Sequence, residues 1–221
     1  AAYEIESELE RANKQKELEI VKNIIPSNIA CIYIRQPQAL GLGHAVLCAK
    51  PAVGNNPFAV ILADDMILSS NKGCLRQMTE RYEELDSSMV AVEKVKKELL
   101  HKYGIIEGLK RNESDWVLSN IVEKPKTNEA PSDMGVVGRY ILKPSIFDIL
   151  SKTGKGAGEE IQLTDAIAEQ LKKEKVYAYE FNGKRFDCGS KLGFLKATIE
   201  YGLNHQEIYN DLRNYLKNLS I

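Results

Sequence analysis

Cysteine, histidine and tryptophan are scarce in this chain of 221 residues, and neither sign of charge predominates. The four cysteines, Cys31, Cys48, Cys74 and Cys188, lie far apart and form no Cys-x-x-Cys pair. That pattern excludes a disulfide scaffold and predicts reduced, mostly structural thiols in a cytoplasmic protein. The three histidines, His44, His101 and His205, are not read as a zinc cluster with cysteines or carboxylates. A Gly-x-Ser-x-Gly nucleophile elbow and a Walker-type phosphate loop are both missing. Thirty Lys and Arg against 31 Asp and Glu leave a formal net charge of −1, which argues against a bulk electrostatic grip on nucleic acid or an acidic membrane surface. No apolar run approaches the ~20 residues of a membrane span, and the N-terminal stretch is charged and amphipathic rather than a signal peptide. Neither nucleic acid nor membrane is therefore an expected partner.

What is present is an ordinary globular balance, with 43% hydrophobic and 28% charged residues. Residues 3–25 read as one surface helix, with Ile5, Leu9, Leu18, Val21 and Ile25 available for one side. Residues 29–35 are rich in β-formers and predict a strand. A loop with Gly41 and Gly43 follows, then a short helix over 44–50. Residues 58–63 form an almost wholly apolar run, as expected of a strand buried on both faces of a helix-covered parallel sheet. A helix over 71–85 and a buried strand over 89–95 complete a doubly wound α/β start. Beyond residue 100 the pattern becomes antiparallel. A hairpin pairs 103–110 with 116–123, and a strand at 135–142 leads into a helix opened by Pro144 and Ser145. A Gly-rich loop at 153–159, a helix at 163–173 and a strand at 176–181 follow. Residues 192–219 read as helical, with a break near Gly202. The fold class expected is α/β, a Rossmann-like mixed sheet flanked by helices with antiparallel additions in the second half, in one domain over 1–221.

Four constellations carry chemistry. Asp64 and Asp65 follow the apolar strand at 58–63, where open α/β sheets bind ligands beyond strand ends and an acid can meet a Mg²⁺ held by substrate phosphates. Asp187, followed by Cys188 and Gly189, is a second strand-end carboxylate; such aspartates also serve as plain turn or cap residues. Glu123 and Lys124 end another strand. A lysine suits a phosphate and a glutamate can accept bonds from sugar hydroxyls, although exposed Glu-Lys pairs are common. Gln36 precedes Gly41, Gly43 and His44, and its amide suits the edge of a pyrimidine approached closely by glycine backbone.

In order along the chain, Arg35-Gln36, the run from Leu40 to Ala45, Ala63-Asp64-Asp65, Tyr103-Gly104, Glu123-Lys124-Pro125 and the run from Val137 to Tyr140 form one pattern. Gly156-Ala-Gly-Glu-Glu-Ile-Gln-Leu-Thr-Asp165 and Phe186-Asp-Cys-Gly-Ser-Lys-Leu-Gly193 complete it. The pattern resembles the bacterial UTP–glucose-1-phosphate uridylyltransferases, also called UDP-glucose pyrophosphorylases, over essentially the whole chain. The resemblance implies a nucleotide-diphospho-sugar transferase fold and Mg²⁺-dependent uridylyl transfer from UTP to glucose-1-phosphate, in a homo-oligomer. It implies that Gln36, Gly41, Gly43 and His44 read the nucleotide, and that Asp64 and Asp187 ligate the metal. It further implies that Gly104 and Glu123 meet glucose hydroxyls and Lys124 meets the sugar phosphate. Gly138, Glu160 and Gln162 would line the sugar side, and Lys191 would add a phosphate contact. The family's opening Gly-x-Gly-Thr-Arg loop and Pro-Lys-Glu have no counterpart here. The expectation is an N-terminally incomplete domain with little turnover of its own. The alternatives are a non-catalytic nucleotide-sugar-binding or regulatory module, or a related transferase for another sugar nucleotide.

Overall fold

A computed structural model describes residues 3–26 and 28–219. The chain divides into two units, residues 1–35 and 36–221. In the first, the single helix expected over 3–25 is two: α1 (Tyr3–Arg11) and α2 (Gln15–Lys22). Asn13 interrupts them with φ of 54°, a left-handed conformation that asparagine tolerates better than most residues. The strand expected over 29–35 does not form; these residues carry no regular structure, and Ile32 and Tyr33 are exposed. β-rich composition makes a strand only where a neighbour completes the hydrogen-bond ladder.

The second unit is built on a six-stranded mixed sheet. Its strands are β1 (Phe58–Ile61), β3 (Met89–Lys94), β4 (Gly104–Lys110), β5 (Asp115–Glu123), β6 (Met134–Leu142) and β7 (Tyr177–Glu180), in the order β1-β6-β3-β7-β5-β4. Only β3 and β7 run parallel; the other ladders are antiparallel. The expected doubly wound parallel start is thus corrected, because β6 inserts between β1 and β3 and pairs antiparallel with both. The expectation that 58–63 is buried on both faces is corrected too. β1 is an edge strand whose residues alternate between half-buried and exposed, with Ile61 at 54% exposure.

Helices cover both faces of the sheet, and strand alternation decides which residue meets which helix. Val90 and Val92 of β3 join a core with α3 (Leu42–Cys48), α6 (Ser145–Leu150) and α7 (Leu163–Leu171), through Val46, Phe147 and Ile167. Met89 and Ala91 point the other way, to Cys74 and Met78 of α5 (Cys74–Leu85). Burial there pushes the Cys74 thiol up to about 12, which keeps it an unreactive packing group. A short α4 (Lys50–Val53) follows α3, and 3₁₀ turns occupy Lys97–Lys102 and Ala157–Glu159.

A separate two-stranded ribbon pairs β2 (Asp65–Leu68) with β8 (Lys184–Asp187), and in this antiparallel register Asp65 faces Asp187. The ribbon leads into α8 (Lys191–Gly202), whose N-cap Ser190 accepts a bond from Gly193 N, and then α9 (Tyr209–Lys217). The break expected near Gly202 lies between these two helices. Among the described residues no helix is long and apolar enough to cross a membrane.

Candidate active site

A cavity of about 380 Å³ opens where the two-stranded ribbon, β6, the β4–β5 hairpin and the segment before α7 meet. Asp64, Asp187, Gly104, Glu123, Lys124, Gly138, Glu160 and Gln162 all line it. Residues widely separated in sequence are brought together there by strand register. Asp64 sits just before β2 and Asp187 ends β8. A Cβ built on Gly189 would stand 3.1 Å from Asp187 Oδ1 and 3.2 Å from Asp64 Oδ2, so both carboxylates flank the same small space beside the glycine. The turn is held by Cys188 N, which donates to Asp64 O at 2.7 Å, and by Gly189 N, which donates to Asp187 Oδ1 at 3.1 Å.

Among the described residues no group of three or more His, Cys, Asp or Glu side chains is placed to hold a metal. A pair of carboxylates with room beside it does fit Mg²⁺, which is commonly bound by one or two carboxylates with substrate phosphates and water completing its shell.

The hairpin supplies the second wall. Gly104 and Glu123 are register partners on β4 and β5, and a Cβ on Gly104 would lie 2.8 Å from Thr164 Cγ2 and 3.2 Å from Glu123 Oε2. The glycine is therefore what lets Glu123 and Thr164 meet, and the Thr164 hydroxyl donates to Glu123 Oε2 at 2.7 Å. Lys124 leaves the strand with φ of 45°, its N–H donating to Tyr103 O at 3.0 Å and its ammonium 3.4 Å from Glu123 Oε1. Gln162 is buried and donates to Ala157 O at 2.8 Å and to Glu160 Oε2 at 3.2 Å, which ties the two cavity-lining residues together. Next along α7, the Asp165 carboxyl is pushed above its usual range, first by burial and then by the charge of Glu123.

Gln36, Gly41, Gly43 and His44 do not line this cavity but form an adjoining cluster. Gln36 Nε2 lies 3.1 Å from Gly41 O, to which it donates, and 3.0 Å from His44 Nδ1. Gly43 N donates to Ile161 O at 2.9 Å, and Ile161 N to Leu40 O at 2.8 Å, so the loop is stitched to the residue between Glu160 and Gln162. A Cβ on Gly43 would fall 2.6 Å from Ile161 O, and Gly41 carries φ of +95°. Lys191 opens α8 and lies outside the cavity.

Sequence reasoning missed Lys102 and Arg185, which line the cavity, and named Tyr103, Thr164 and Asp65, which also line it, only as members of the motifs around Gly104, Gln162 and Asp64. Alternation puts Arg185 on the face of Asp187, two positions away on one strand, but does not by itself show that it is buried.

Two strand-end carboxylates and a strand-end lysine lining one cavity form a set suited to a metal ion and a phosphate-bearing ligand. The nucleotidyl transferase family model matches residues 2–202, and the chain belongs to that family. It is 40% identical to the UTP–glucose-1-phosphate uridylyltransferase of Haemophilus influenzae, over 99% of this chain and 77% of that one. A UTP-bound UGPase from Acinetobacter baumannii superposes with a TM-score of 0.90 at 39% identity, over 100% of this chain and 76% of its own. A UDP-glucose pyrophosphorylase complexed with UDP-glucose gives 0.81 at 45% identity, covering 88% of this chain and 74% of its own. The family resemblance and the α/β class read from the sequence are borne out.

Proposed function

We propose that this chain is a uridylyltransferase that joins UTP and glucose-1-phosphate to give UDP-glucose and pyrophosphate. The observation that carries the reading is the convergence of Asp64, Asp187, Glu123 and Lys124 on one cavity, in a chain whose relatives are solved with UTP and with UDP-glucose. We read residues 1–221 as one nucleotidyltransferase-like domain, because the family model runs through both units.

In the reaction a phosphate oxygen of glucose-1-phosphate attacks the α-phosphorus of UTP. The bond from that phosphorus to the bridging oxygen breaks, and the electron pair leaves with pyrophosphate. The nucleophile is already anionic near neutral pH, so the protein needs no strong general base. Its work is alignment and neutralisation of charge. Lys124 would hold the sugar phosphate, with its ammonium steadied by Glu123 Oε1. Glu123 would accept from glucose hydroxyls, sharing that task with Gly104 backbone and with Gly138, Glu160 and Gln162 around the ring. The loop of Gln36, Gly41, Gly43 and His44 would read uracil, and Lys191 would reach a phosphate. Asp64 and Asp187 would hold Mg²⁺, which when bound draws negative charge off the reacting phosphates.

Four unpaired cysteines support placing the protein in a reducing compartment, the cytoplasm. Exposed Leu192, Phe194 and Leu195 on α8 support a homo-oligomer, which sedimentation velocity would test.

The functional test combines calorimetric titration with UDP-glucose and an assay of pyrophosphate release from UTP and glucose-1-phosphate with Mg²⁺. UDP-glucose binding is expected of this chain, with little release unless the family's Gly-x-Gly-Thr-Arg loop is also supplied. Binding without release even with that loop supplied would favour a nucleotide-sugar-binding module. Neither binding nor release would overturn the reading.

A further inference from the structure

The roles proposed above leave Arg185, a largely buried cation, without a task. The Arg185 side chain is 9% exposed and lies among three partners from three other places in the fold. Its Nε donates to Asp65 Oδ1, its Nη1 donates to Glu93 Oε1 at 2.8 Å, and Nη1 also lies 3.3 Å from Tyr103 Oη. The guanidinium carbon stands 5.1 Å from the Tyr103 ring centroid. Asp65, itself buried, accepts from Gly138 N at 2.6 Å through Oδ2, and its main-chain oxygen accepts from Arg139 Nη2 at 2.7 Å. Burial works against the charge on Arg185, but its bonds to Asp65, Tyr103 and Glu93 outweigh that and hold it above its ordinary pKa.

Strand geometry turns these contacts into a constraint. The β2–β8 ribbon has four residues in each strand, and it is not a member of the main sheet. An isolated two-stranded ladder is marginal by itself. Yet it carries Asp187 at one end and is entered directly from Asp64, so the spacing of those two carboxylates depends on how the ribbon is fastened. Arg185 and Asp65 are diagonal cross-strand neighbours within it. Through them the ribbon is tied to β3 at Glu93, to β6 at Gly138 and to Tyr103, whose carbonyl receives the Lys124 N–H. A lysine at 185 could keep the charge but could not reach Asp65, Glu93 and Tyr103 together, since only the forked guanidinium offers donors in several fixed directions.

We propose that Arg185, anchored by Asp65, is a positioning residue that fixes the Asp64–Asp187 pair at metal-binding separation and in register with Lys124. The inference rests on the reading of Asp64 and Asp187 as metal carboxylates. Groups behind metal ligands are worth about 10- to 100-fold in metal affinity when changed.

The test is titration of the full chain with Mn²⁺ in the presence of UDP-glucose, followed by water-proton relaxation, for the parent, Asp187→Asn, Arg185→Lys and Glu93→Gln. Circular dichroism and thermal unfolding are recorded in parallel. Arg185→Lys should weaken Mn²⁺ by about tenfold or more, and Glu93→Gln should weaken it less but in the same direction. A purely structural role would lower the unfolding temperature and leave the Mn²⁺ affinity of the folded protein within about twofold of the parent, which overturns the proposal. If Arg185→Lys does not fold, Glu93→Gln decides by the same criterion. Asp187→Asn separates the two readings. Should it leave Mn²⁺ affinity unchanged, or should the parent bind none, the metal reading fails and this inference with it. Should it abolish binding while Arg185→Lys does not weaken it, only the inference fails.

Discussion

The two walls of the cavity bury acid in opposite ways. On the ribbon wall, Asp65 meets a guanidinium and a backbone N–H, and Arg185 in turn meets Glu93, so each buried charge there is answered by the protein. On the hairpin wall, Glu123 is 12% exposed and relies on one threonine hydroxyl and a half-exposed lysine, while nearby Asp165 has its pKa raised by burial and by Glu123 itself. A charge answered within the protein is fixed in place before any ligand arrives. An under-answered carboxylate keeps acceptor capacity for an incoming hydroxyl, because a buried acceptor gains most from the partner it lacks. Under the function proposed above, the ribbon wall serves as a frame and the hairpin wall as a receptor.

The sharpest way to break that contrast is Asp187→Asn. In a form that also carries the family's Gly-rich loop, turnover should fall by about a hundredfold or more, as the proposed metal role requires when several kcal/mol of charge stabilisation is lost. UDP-glucose affinity, read by calorimetry, should move far less; equal losses would mean that the ribbon wall binds the sugar nucleotide rather than framing the chemistry.

Next in size is Lys124→Ala. Removing a charge-assisted contact of about 1.5–3 kcal/mol should raise KM for glucose-1-phosphate by about ten- to a hundredfold while KM for UTP stays near the parent value. Unchanged steady-state kinetics would return Lys124 to an ordinary surface ion pair.

Thr164→Val probes the receptor wall from inside. It strips Glu123 of its hydroxyl donor and should destabilise the fold by about 1–2 kcal/mol in urea unfolding. Because the sugar hydroxyls then meet a less ordered carboxylate, discrimination between glucose-1-phosphate and other hexose phosphates should narrow as well.

The smallest effect concerns pH. Asp165 holds its proton more tightly in the native state than in the unfolded chain. Its contribution to stability is therefore complete below the usual aspartate range of about 3.9, and it is lost as pH rises through the raised native value. Asp165→Asn removes this dependence. Urea midpoints across the acidic range should show the variant gaining on the parent as pH increases; parallel curves would show that Asp165 titrates alike in both states.

The contrast between the walls also marks what could be read from the residues alone. Asp64, Asp187, Glu123 and Lys124 were legible because an acid or base directly after a strand-like run marks a strand end, where α/β folds collect ligands. Asp65 and Arg185 were not, because a buried ion pair depends on which strands lie side by side. Nothing in Lys184-Arg185-Phe186 distinguishes a buried guanidinium from an exposed one until Asp65 is known to lie diagonally across from it. The same blindness to neighbours explains two misreadings in the fold. Residues 29–35 have strand composition without a ladder, and β1 is apolar yet lies at a sheet edge. The internal bonding of Gln36 to Gly41 and its closeness to His44 were likewise invisible, since spacing shows that a loop is close-packed but not which groups its amide meets.

Lys124 illustrates a conflict that selection must settle at a single codon. Its backbone lies at φ of 45°, where side-chain-bearing residues are disfavoured by roughly 1–2 kcal/mol. Glycine would relieve that strain, so on stability alone Lys124→Gly is an improvement, yet it deletes the ammonium proposed to hold the sugar phosphate. Mutational libraries of this chain screened for heat tolerance should therefore enrich glycine at 124, whereas libraries screened for sugar-phosphate use should retain lysine. The two screens would diverge at this position even if they agreed throughout the core.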